Sequence, residues 1–448
     1  MIRCRTLLVF ALLSTAAFAE RIGTSEPAPS LTAGRVKTAA VHDKSAWLAY
    51  LARSEKQMAA DKAALAAERV GLAAVPALPT EGSSARSIPM DRPRTFYRTA
   101  EAKYLGEIIV SFQTPAGGWS KNLKMGEARL RGQSYAPSNL APVPEAPDDF
   151  DAPHDPQWHY VGTLDNDATW TEIRFLARLC AALPAAESAV FQHSLDRGVE
   201  YLLHAQYPNG GWPQVWPLEG GYHDAVTLND DATMEAAELL RDVAAGSVRA
   251  KGEALEQYEF VPATLRREAA AAEQRALQCL VALQVKAGSP RVLTVWAQQY
   301  DPLTLEPVSA RNFEPAALSA GESASVVRLL MDVPKPSPEE VVSVDAAMAW
   351  FEANRIVGDA FVGGRHTPGG RQLVSRAGSV VWPRYVSLTT GKPLFSDRNK
   401  GLYSSLADIS AERRNGYGWY GDGPQAVIAA YPAWGKRVGD KQVAEGKR

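Results

Sequence analysis

The sequence predicts a mainly α-helical fold in which helical hairpins curl into a toroid. Apolar residues recur at helical spacing in runs of ten to seventeen residues, whereas the alternation typical of strands is rare and short. A unit consisting of a helix, a Gly-Gly-Trp loop and an Asp/Asn cluster also occurs twice, which is typical of duplicated hairpins. An irregular helical bundle would give much the same periodicity and stays open at this point.

The first part of the chain resembles an export signal followed by an accessory segment. Residues 1–19 have a basic head, an apolar stretch and a small-residue end, which is the pattern of a secretory signal peptide. Residues 20–43 are rich in Pro, Ser, Thr and Ala, so we expect a flexible linker. Residues 44–94 begin with strong helix formers and end in a Pro/Ser/Gly stretch, which predicts a helical arm and its linker. The protein should therefore be secreted, into the periplasm or the medium.

Residues 95–436 form the predicted main body, and a tail follows at 437–448. Helical periodicity within the body predicts helices at 98–113, 169–184, 188–207, 231–245, 263–285, 316–332, 338–353 and 422–430. The loops between them are rich in Gly, Pro, Asp and aromatic residues, and we expect the functional side chains there.

Composition excludes several classes of function. The 448 residues are 46% hydrophobic and 22% charged, which is enough for a large core. The formal net charge of −2 provides no basic field, so we expect no nucleic-acid partner. No stretch after the signal is long and apolar enough to span a bilayer. Cys180 and Cys279 lie in predicted helices, where they could pair or simply be buried, and their spacing leaves both readings open.

Two acidic clusters raise the question of chemistry. The chain has "TLDNDATWTE" at 163–172 and "TLNDDATMEA" at 227–236, each just before a predicted helix. One Asp or Asn would be enough to cap a helix, and three in a row exceed that need. The surplus oxygens suit Ca²⁺ or general acid/base work, so capping and chemistry both stay open. The candidates are Asp165, Asn166 and Asp167 in the first cluster and Asn229, Asp230 and Asp231 in the second.

The two Gly-Gly-Trp loops and several arginines supply further candidates. Trp119 and Trp212 could be buried plugs or stacking surfaces for a sugar ring, and Lys121 adds a cation beside the first. Loop arginines among aromatic residues suit bidentate binding of carboxylates. These are Arg311, Arg384, Arg398, Arg413 and Arg414. Together with a cation site, they indicate an anionic ligand that carries carboxylates.

Seven separated motifs, in order from about residue 95 to Trp434, resemble the pectate lyases of polysaccharide lyase family 10. They are "GGWSKN", "TLDNDATWTEIRFLARL", "GGWPQVWPLEGGYHDAVTLNDDATM", "LTVWAQQYDPLTLEPVSARNFEP", "SAGESASVVRLLM", "PRYVSLTTGKPLFSDRN" and "ERRNGYGWYGD". The resemblance implies an (α/α) toroid with a few short strands. It also implies Ca²⁺-dependent β-elimination of polygalacturonate (pectate) by a secreted enzyme, which we expect to be a monomer.

The resemblance also implies roles for residues. Asp165 and Asp230, with Asn229, would hold Ca²⁺, and Arg311 resembles a binder of the substrate carboxylate. The catalytic base is placed at Arg398. The remaining substrate-binding candidates are Lys121, Trp119, Trp212, Arg384, Tyr300 and Arg413, of which Arg384 and Arg413 are also rivals for the base. The sequence departs from the family pattern at Asp231, in place of Gly, and at Tyr300, in place of His.

An arginine base would need a lowered pKa, which predicts an alkaline optimum. Two alternatives remain. A hydrolase of acidic polysaccharides would use paired Asp residues as general acid and base. A non-catalytic pectate-binding protein would keep the groove without the base.

Overall fold

The computed structural model describes residues 20–82, 87–137, 149–150, 161–250 and 253–445. The predicted signal peptide and residues 446–448 of the predicted tail lie outside these ranges. The helices are α1 Ala33–Thr38, α2 Lys44–Arg69, α3 Ala100–Ser111, α4 Trp170–Ala182, α5 Ala185–Ala205, α6 Ala232–Ala245, α7 Ala263–Leu283, α8 Ala320–Asp332, α9 Pro338–Asn354, α10 Ala411–Gly416 and α11 Pro424–Glu445. The predicted mainly α-helical class is confirmed, and every predicted helix of the body is present.

The helices of the body form two layers. Helices α4, α6 and α8 pack side by side, and each packs against its successor in the chain, α5, α7 or α9. The first set is buried on nearly all sides, as in α4, whereas α7 buries mainly one stripe of Ala and Leu residues. This regular alternation of inner and outer helices excludes the irregular bundle. It also places the starts of the inner helices, where the acidic clusters lie, at one end of the molecule.

Helices α3, α5, α7 and α9 end in the same way, with a buried tryptophan from a chain segment that follows each helix. Each indole N–H donates to a carbonyl in the last turn of the preceding helix, where carbonyls lack their usual helical partners. The pairs are Trp119 to Ile109 at 2.7 Å, Trp212 to Leu202 at 2.8 Å, Trp296 to Leu280 at 2.6 Å and Trp382 to Phe351 at 2.8 Å. Trp119 and Trp212 have no accessible surface, so their prediction as sugar-stacking surfaces is wrong.

The strands are short and pair only antiparallel among the described residues. They are β1 Arg21–Thr24, β2 Val226–Thr227, β3 Ser247–Ala250, β4 Glu253–Gln257, β5 Lys286–Ala287, β6 Val292–Leu293, β7 Gln299–Tyr300, β8 Leu318–Ser319, β9 Ile356–Val362, β10 Gln372–Pro383, β11 Tyr385–Val386, β12 Phe395–Ser396, β13 Gly401–Tyr403 and β14 Tyr420–Gly421. Two sheets have three strands, in the orders β1-β13-β12 and β14-β10-β9. The long β9–β10 hairpin is the largest strand feature that the sequence analysis missed.

The segment predicted as a flexible linker is attached to the body. Strand β1 pairs with β13, and Arg35 in α1 donates to the buried carboxylate of Asp301 at 2.6 Å. Helix α2 then packs on the outer layer, where the Tyr50 hydroxyl donates to the carbonyl of Ala205 at 3.0 Å. The flexible-linker prediction for 20–43 is therefore wrong, because composition does not reveal pairing with a distant strand. Within the segment predicted as a helical arm, the structure has the helix α2.

The C-terminal helix is longer than predicted. Helix α11 continues to Glu445, through most of the segment predicted as a tail, and it packs against α8. Trp434 and Val438 are buried on its inner face, which explains why the helix continues. Cys180 and Cys279 are both buried and free, so they do not form a disulfide. Within the described part of the chain, no helix has the length and apolar character needed to cross a membrane.

Candidate active site

The two acidic clusters are built on the same backbone pattern. A threonine at the start of α4 and of α6 donates its hydroxyl to a carbonyl six residues earlier: Thr169 to Thr163 and Thr233 to Thr227, both at 2.7 Å. In each cluster, the turn between this carbonyl and the threonine passes through left-handed backbone conformations, with φ of 52° at Asn166 and 50° at Asp230. Asn and Asp tolerate this conformation better than most other residues, which explains why each cluster contains several of them.

The capping interpretation of the clusters is wrong. The residues that precede α4 and α6, Thr169 and Asp231, make no side-chain capping hydrogen bond. Asp231 instead bonds to Ser325 near the start of α8. The carboxylates of Asp165 in the first cluster and Asp230 in the second are therefore available for other contacts.

The fold brings Asp165 and Asp230 together although they are far apart in the chain. Their side chains share a hydrogen bond, and Lys121 forms an ion pair with Asp165. Burial opposes ionisation of Asp165, but the Lys121 charge and the bond to Asp230 outweigh it and hold its pKa well below the usual range. Burial, together with the charge of Asp165, raises the pKa of Asp230 to about 8. The proton of their shared hydrogen bond is therefore favoured on Asp230, whose pKa is raised, over Asp165, whose pKa is lowered.

Asn229 does not point an oxygen at this pair. Its side-chain N–H donates to Asp230 at 2.8 Å, while its oxygen accepts from Gln298 at 2.5 Å and from Arg384 at 3.4 Å. The role of Asn229 as a metal ligand stays a prediction, and it would require the side-chain oxygen to leave the two donors that it faces in this arrangement. Its position makes it a residue that orients the Asp230 carboxylate.

Two predicted arginines flank the carboxylate pair. Arg384 donates to Glu322 at 2.7 Å and lies over the ring of Tyr417, 4.7 Å from its centre. Arg311 makes a bidentate contact with Glu314, at 2.9 and 2.6 Å, and its positive charge also acts on Asp165. The Glu314 carboxylate outweighs the effect of burial and holds the pKa of Arg311 well above its usual value. Arg311 is therefore a fixed cation.

Three arginines surround the ring of Phe313. The guanidinium carbons of Arg311, Arg398 and Arg413 lie 4.8, 5.2 and 4.2 Å from its centre. Glu412 accepts from Arg398 at 3.0 Å and from Arg413 at 3.2 Å. Arg413 is buried, and this burial together with the charges of Arg398 and Arg311 lowers its pKa. Arg398 is exposed, on the outer side of this arginine cluster.

Tyr300 is buried in the core of the protein. It has no accessible surface, and its hydroxyl accepts from the backbone N–H of Ala297 at 2.5 Å. Its prediction as a substrate-binding residue is wrong, because it belongs to the core. Sequence reasoning also missed several site residues: Gln298, Phe313, Glu314, Glu322, Tyr385, Glu412 and Tyr417. The one signal for Glu314 was its position three residues after Arg311, which suits an ion pair across a turn.

The side chains around the carboxylate pair can be compared with the ligands that a metal ion requires. Within the described residues there is no group of three or more His, Cys, Asp or Glu side chains that could hold one. Asp165 and Asp230 offer two adjacent carboxylates, which are hard oxygen donors, but Ca²⁺ takes six to eight oxygens. The pair fits a cation that completes its coordination with water and with oxygens of an anionic ligand. A divalent ion would also replace the shared proton.

Comparison with known proteins identifies the family. Residues 113–428 match the family model described as pectic acid lyase. The chain belongs to the pectic acid lyase family. This match covers more than half of the chain and includes every residue of the site described above.

Solved structures agree with the family match. A family 10 polysaccharide lyase from Cellvibrio cellulosa is 27% identical, with a TM-score of 0.61, over 78% of this chain and 97% of that chain. A mutant of the family 10 lyase from the same organism, in complex with trigalacturonic acid, has the same identity and TM-score over 79% and 99%. Among curated proteins there is no match. The identification from the sequence as a family 10 pectate lyase, its enzyme class and its (α/α) toroid fold are confirmed.

Proposed function

We propose that this pectate lyase is a Ca²⁺-dependent enzyme that cleaves α-1,4-polygalacturonate by β-elimination to 4,5-unsaturated oligogalacturonides. The observation that carries the proposal is the contact between Asp165 and Asp230, with the charges of Lys121 and Arg311 directed at the same carboxylate. The complex of a similar lyase with trigalacturonic acid supports a galacturonate substrate. We further propose that the enzyme is exported by the segment at 1–19 and acts as a monomer.

Asp165 and Asp230 are the residues that would hold the ion. When bound, Ca²⁺ would supply positive charge to the uronate carboxylate on which negative charge builds during the reaction. The residues of the chain add to this effect. Arg311, oriented by both oxygens of Glu314, presents a fixed cation, and Arg384 donates one hydrogen bond to Glu322. Preoriented charges of this kind stabilise a transition state without reorganising.

The elimination needs a base for the proton on C5, and we assign it to Arg398. The electron pair of the C5–H bond forms the C4–C5 double bond, and the C4 oxygen leaves with the other chain fragment and takes a proton from water. A guanidine can accept the C5 proton only when it is neutral, so nearby cations must lower its pKa. At Arg413 in the arginine cluster, burial lowers the pKa and the charge of Arg398 adds to this effect, and the repulsion between these two guanidinium groups is mutual.

The carboxylate geometry supports a lyase over the hydrolase alternative. Glycoside hydrolases separate their two carboxyl groups by roughly 5 to 9.5 Å, so that a sugar or a water molecule fits between them. The carboxyl groups of Asp165 and Asp230 instead share a hydrogen bond. The binding-protein alternative keeps the same groove and differs only in turnover, so a product assay separates it.

The first experiment measures the ultraviolet absorbance of an unsaturated product while the mature protein acts on polygalacturonate, from about pH 5 to about pH 10. The proposal predicts absorbance that rises with Ca²⁺, stops with a chelator and is greatest at alkaline pH. Reducing ends without absorbance would indicate a hydrolase instead. Binding of polygalacturonate without any product would indicate the non-catalytic protein.

The second experiment tests the base. We expect Arg398→Ala to lower kcat by about 10² to 10⁴, the usual contribution of a general base, with little change in fold. Arg355→Ala is the matched control, because Arg355 and Arg398 are equally exposed, at 47 and 48%, and each pairs with one glutamate, at 2.9 and 3.0 Å. Wild-type kcat in Arg398→Ala would overturn the assignment. A loss of kcat seen in only one of Arg384→Ala, Arg413→Ala or Arg311→Ala would assign the base to that residue instead.

A further inference from the structure

The β9–β10 hairpin carries a concentration of positive charge beside the site. Residues 356–383 contain three arginines and one histidine against a single acidic residue, Asp359. The hairpin is fixed to the chain segment that follows the arginine cluster. The backbone N–H of Arg371 donates to the Asn415 side chain at 2.8 Å, and its guanidinium donates to the carbonyl of Tyr417 at 3.0 Å. The tip of the hairpin therefore has a defined position next to α10.

Arg365, at this tip, reaches the arginine cluster. A methyl group added at Gly416 would lie 2.9 Å from the terminal nitrogen Nη2 of Arg365 and 2.9 Å from Nη2 of Arg413. The two guanidinium groups thus approach the same side of this glycine, which leaves room for both because it has no side chain. Unlike Arg413, Arg365 is exposed.

Positive charge exceeds negative charge around Glu412. Arg398 and Arg413 both donate to Glu412, and the charge of Arg365 acts on the same carboxylate. The hydrogen bond from Arg398, with the charges of Arg413 and Arg365, holds the pKa of Glu412 below its usual value. Three guanidinium groups therefore act on one carboxylate, and the excess positive charge favours an added anion.

The positive groups form a path that leads away from the carboxylate pair. It runs from Arg311 across Phe313 to Arg398 and Arg413, and then past Gly416 to Arg365. Polygalacturonate carries one carboxylate on every sugar, so a bound chain would offer its charges in series along such a path. An oligomer confined to the cleavage site would not extend to the end of it.

We propose that Arg365 binds the carboxylate of a galacturonate unit outside the cleavage site, so that the β9–β10 hairpin makes the enzyme prefer long chains. This inference rests on the proposed function, because it takes the polymer as the ligand. It assigns Arg365 a role in binding and none in the elimination step.

The test compares Arg365→Gln with the wild type on polygalacturonate and on trigalacturonate. For an exposed charge pair we expect KM for the polymer to rise about three- to five-fold, with kcat unchanged and no change on the trimer. The rise should shrink as salt is added, because salt screens exposed charges. Arg376→Gln is the matched control, since Arg376 is an exposed arginine on the same hairpin. It should behave as the wild type on both substrates.

Other results would overturn the inference. They are an unchanged KM for the polymer in Arg365→Gln, an equal change on the trimer, or an equal change in Arg376→Gln. Retardation of each variant in a native gel that contains polygalacturonate measures binding without turnover. If the wild type makes no unsaturated product, the proposed function fails, yet weaker retardation of Arg365→Gln than of Arg376→Gln would still support the binding role.

Discussion

At the scale of single residues, backbone conformation explains the composition of the acidic clusters. Asn166 and Asp167 in the first cluster, and Asp230 and Asp231 in the second, all have positive φ. The turn thus requires residues that tolerate the left-handed region, and Asp and Asn meet this need while also supplying carboxylates. The same residues therefore serve the fold and the site.

The role of the buried tryptophans can be tested by Trp212→Phe. This change removes the indole N–H that bonds to Leu202, and leaves a buried carbonyl with one donor fewer. We expect the free energy of unfolding in urea to fall by about 1 to 3 kcal/mol, with KM for polygalacturonate unchanged. Trp350→Phe, at a partly buried tryptophan of the outer helix α9, should lower the free energy of unfolding by less than Trp212→Phe does. A raised KM in Trp212→Phe at unchanged stability would restore the sugar-stacking role.

The sequence identified the charged site residues better than the aromatic ones. Lys121, Asp165 and Asp230 lie in the repeated loop motifs, where charge has few purely structural uses, and Arg311 followed from the family resemblance. Trp119, Trp212 and Tyr300 were predicted to bind substrate but are buried, because an aromatic residue in a loop can equally belong to the core. Their burial depends on helices distant in the chain. The counterions Glu314 and Glu322 were missed because isolated acidic residues have no pattern.

At the scale of elements, helices were predicted well and strands poorly. The helices of the body have an apolar stripe that periodicity detects, as in α7. The β9–β10 hairpin is largely accessible on both faces, so its sequence lacks the alternation of a half-buried strand. Strand β1 was missed because its partner, β13, lies at the other end of the chain.

Helix α4 contains a buried acid that should make stability depend on pH. Burial raises the pKa of Glu172 to about 8, and the charge of Asp167 adds to this effect. The unfolded chain loses this proton near pH 4.5 while the folded chain keeps it, so stability falls as pH rises from about 4.5 to about 8.

Glu172→Gln should remove this dependence. We expect a free energy of unfolding close to that of the wild type at about pH 5, and higher by a few kcal/mol at about pH 9. Glu101→Gln, at an exposed glutamate of α3, should show no such difference between the two pH values. Urea unfolding at both pH values measures the effect. Equal stability of Glu172→Gln and the wild type at the higher pH would contradict it.

At the scale of the whole molecule, the N-terminal segment is part of the folded structure. Strand β1 joins the sheet of β12 and β13, α1 is held to the body by the ion pair between Arg35 and Asp301, and α2 packs on the outer helices. The side chain of Asp301 is 2% exposed, so the loss of its partner would leave a buried charge.

We therefore expect Arg35→Ala to lower the free energy of unfolding by about 1 to 3 kcal/mol without changing kcat. Lys37→Ala, at an exposed position of the same short helix, is the control and should have little effect. Thermal or urea unfolding of both variants measures the difference. The same loss in both variants, or none in either, would show that the ion pair does not hold the segment.

The arrangement of the inner helices has one central consequence for function. It brings two copies of the same turn together, so that Asp165 and Asp230 meet, and the proposed function places one Ca²⁺ between them. The most direct test is the rate of formation of unsaturated product as a function of Ca²⁺ concentration in Asp165→Asn and Asp230→Asn.

Asp231→Asn is the control for this measurement, because Asp231 follows Asp230 in the chain but bonds to Ser325. The account predicts that each of the first two changes lowers kcat by about 10² to 10³ at any Ca²⁺ concentration, whereas Asp231→Asn keeps a Ca²⁺-dependent rate near that of the wild type. Ca²⁺-dependent turnover at the wild-type level in Asp165→Asn or Asp230→Asn would contradict it.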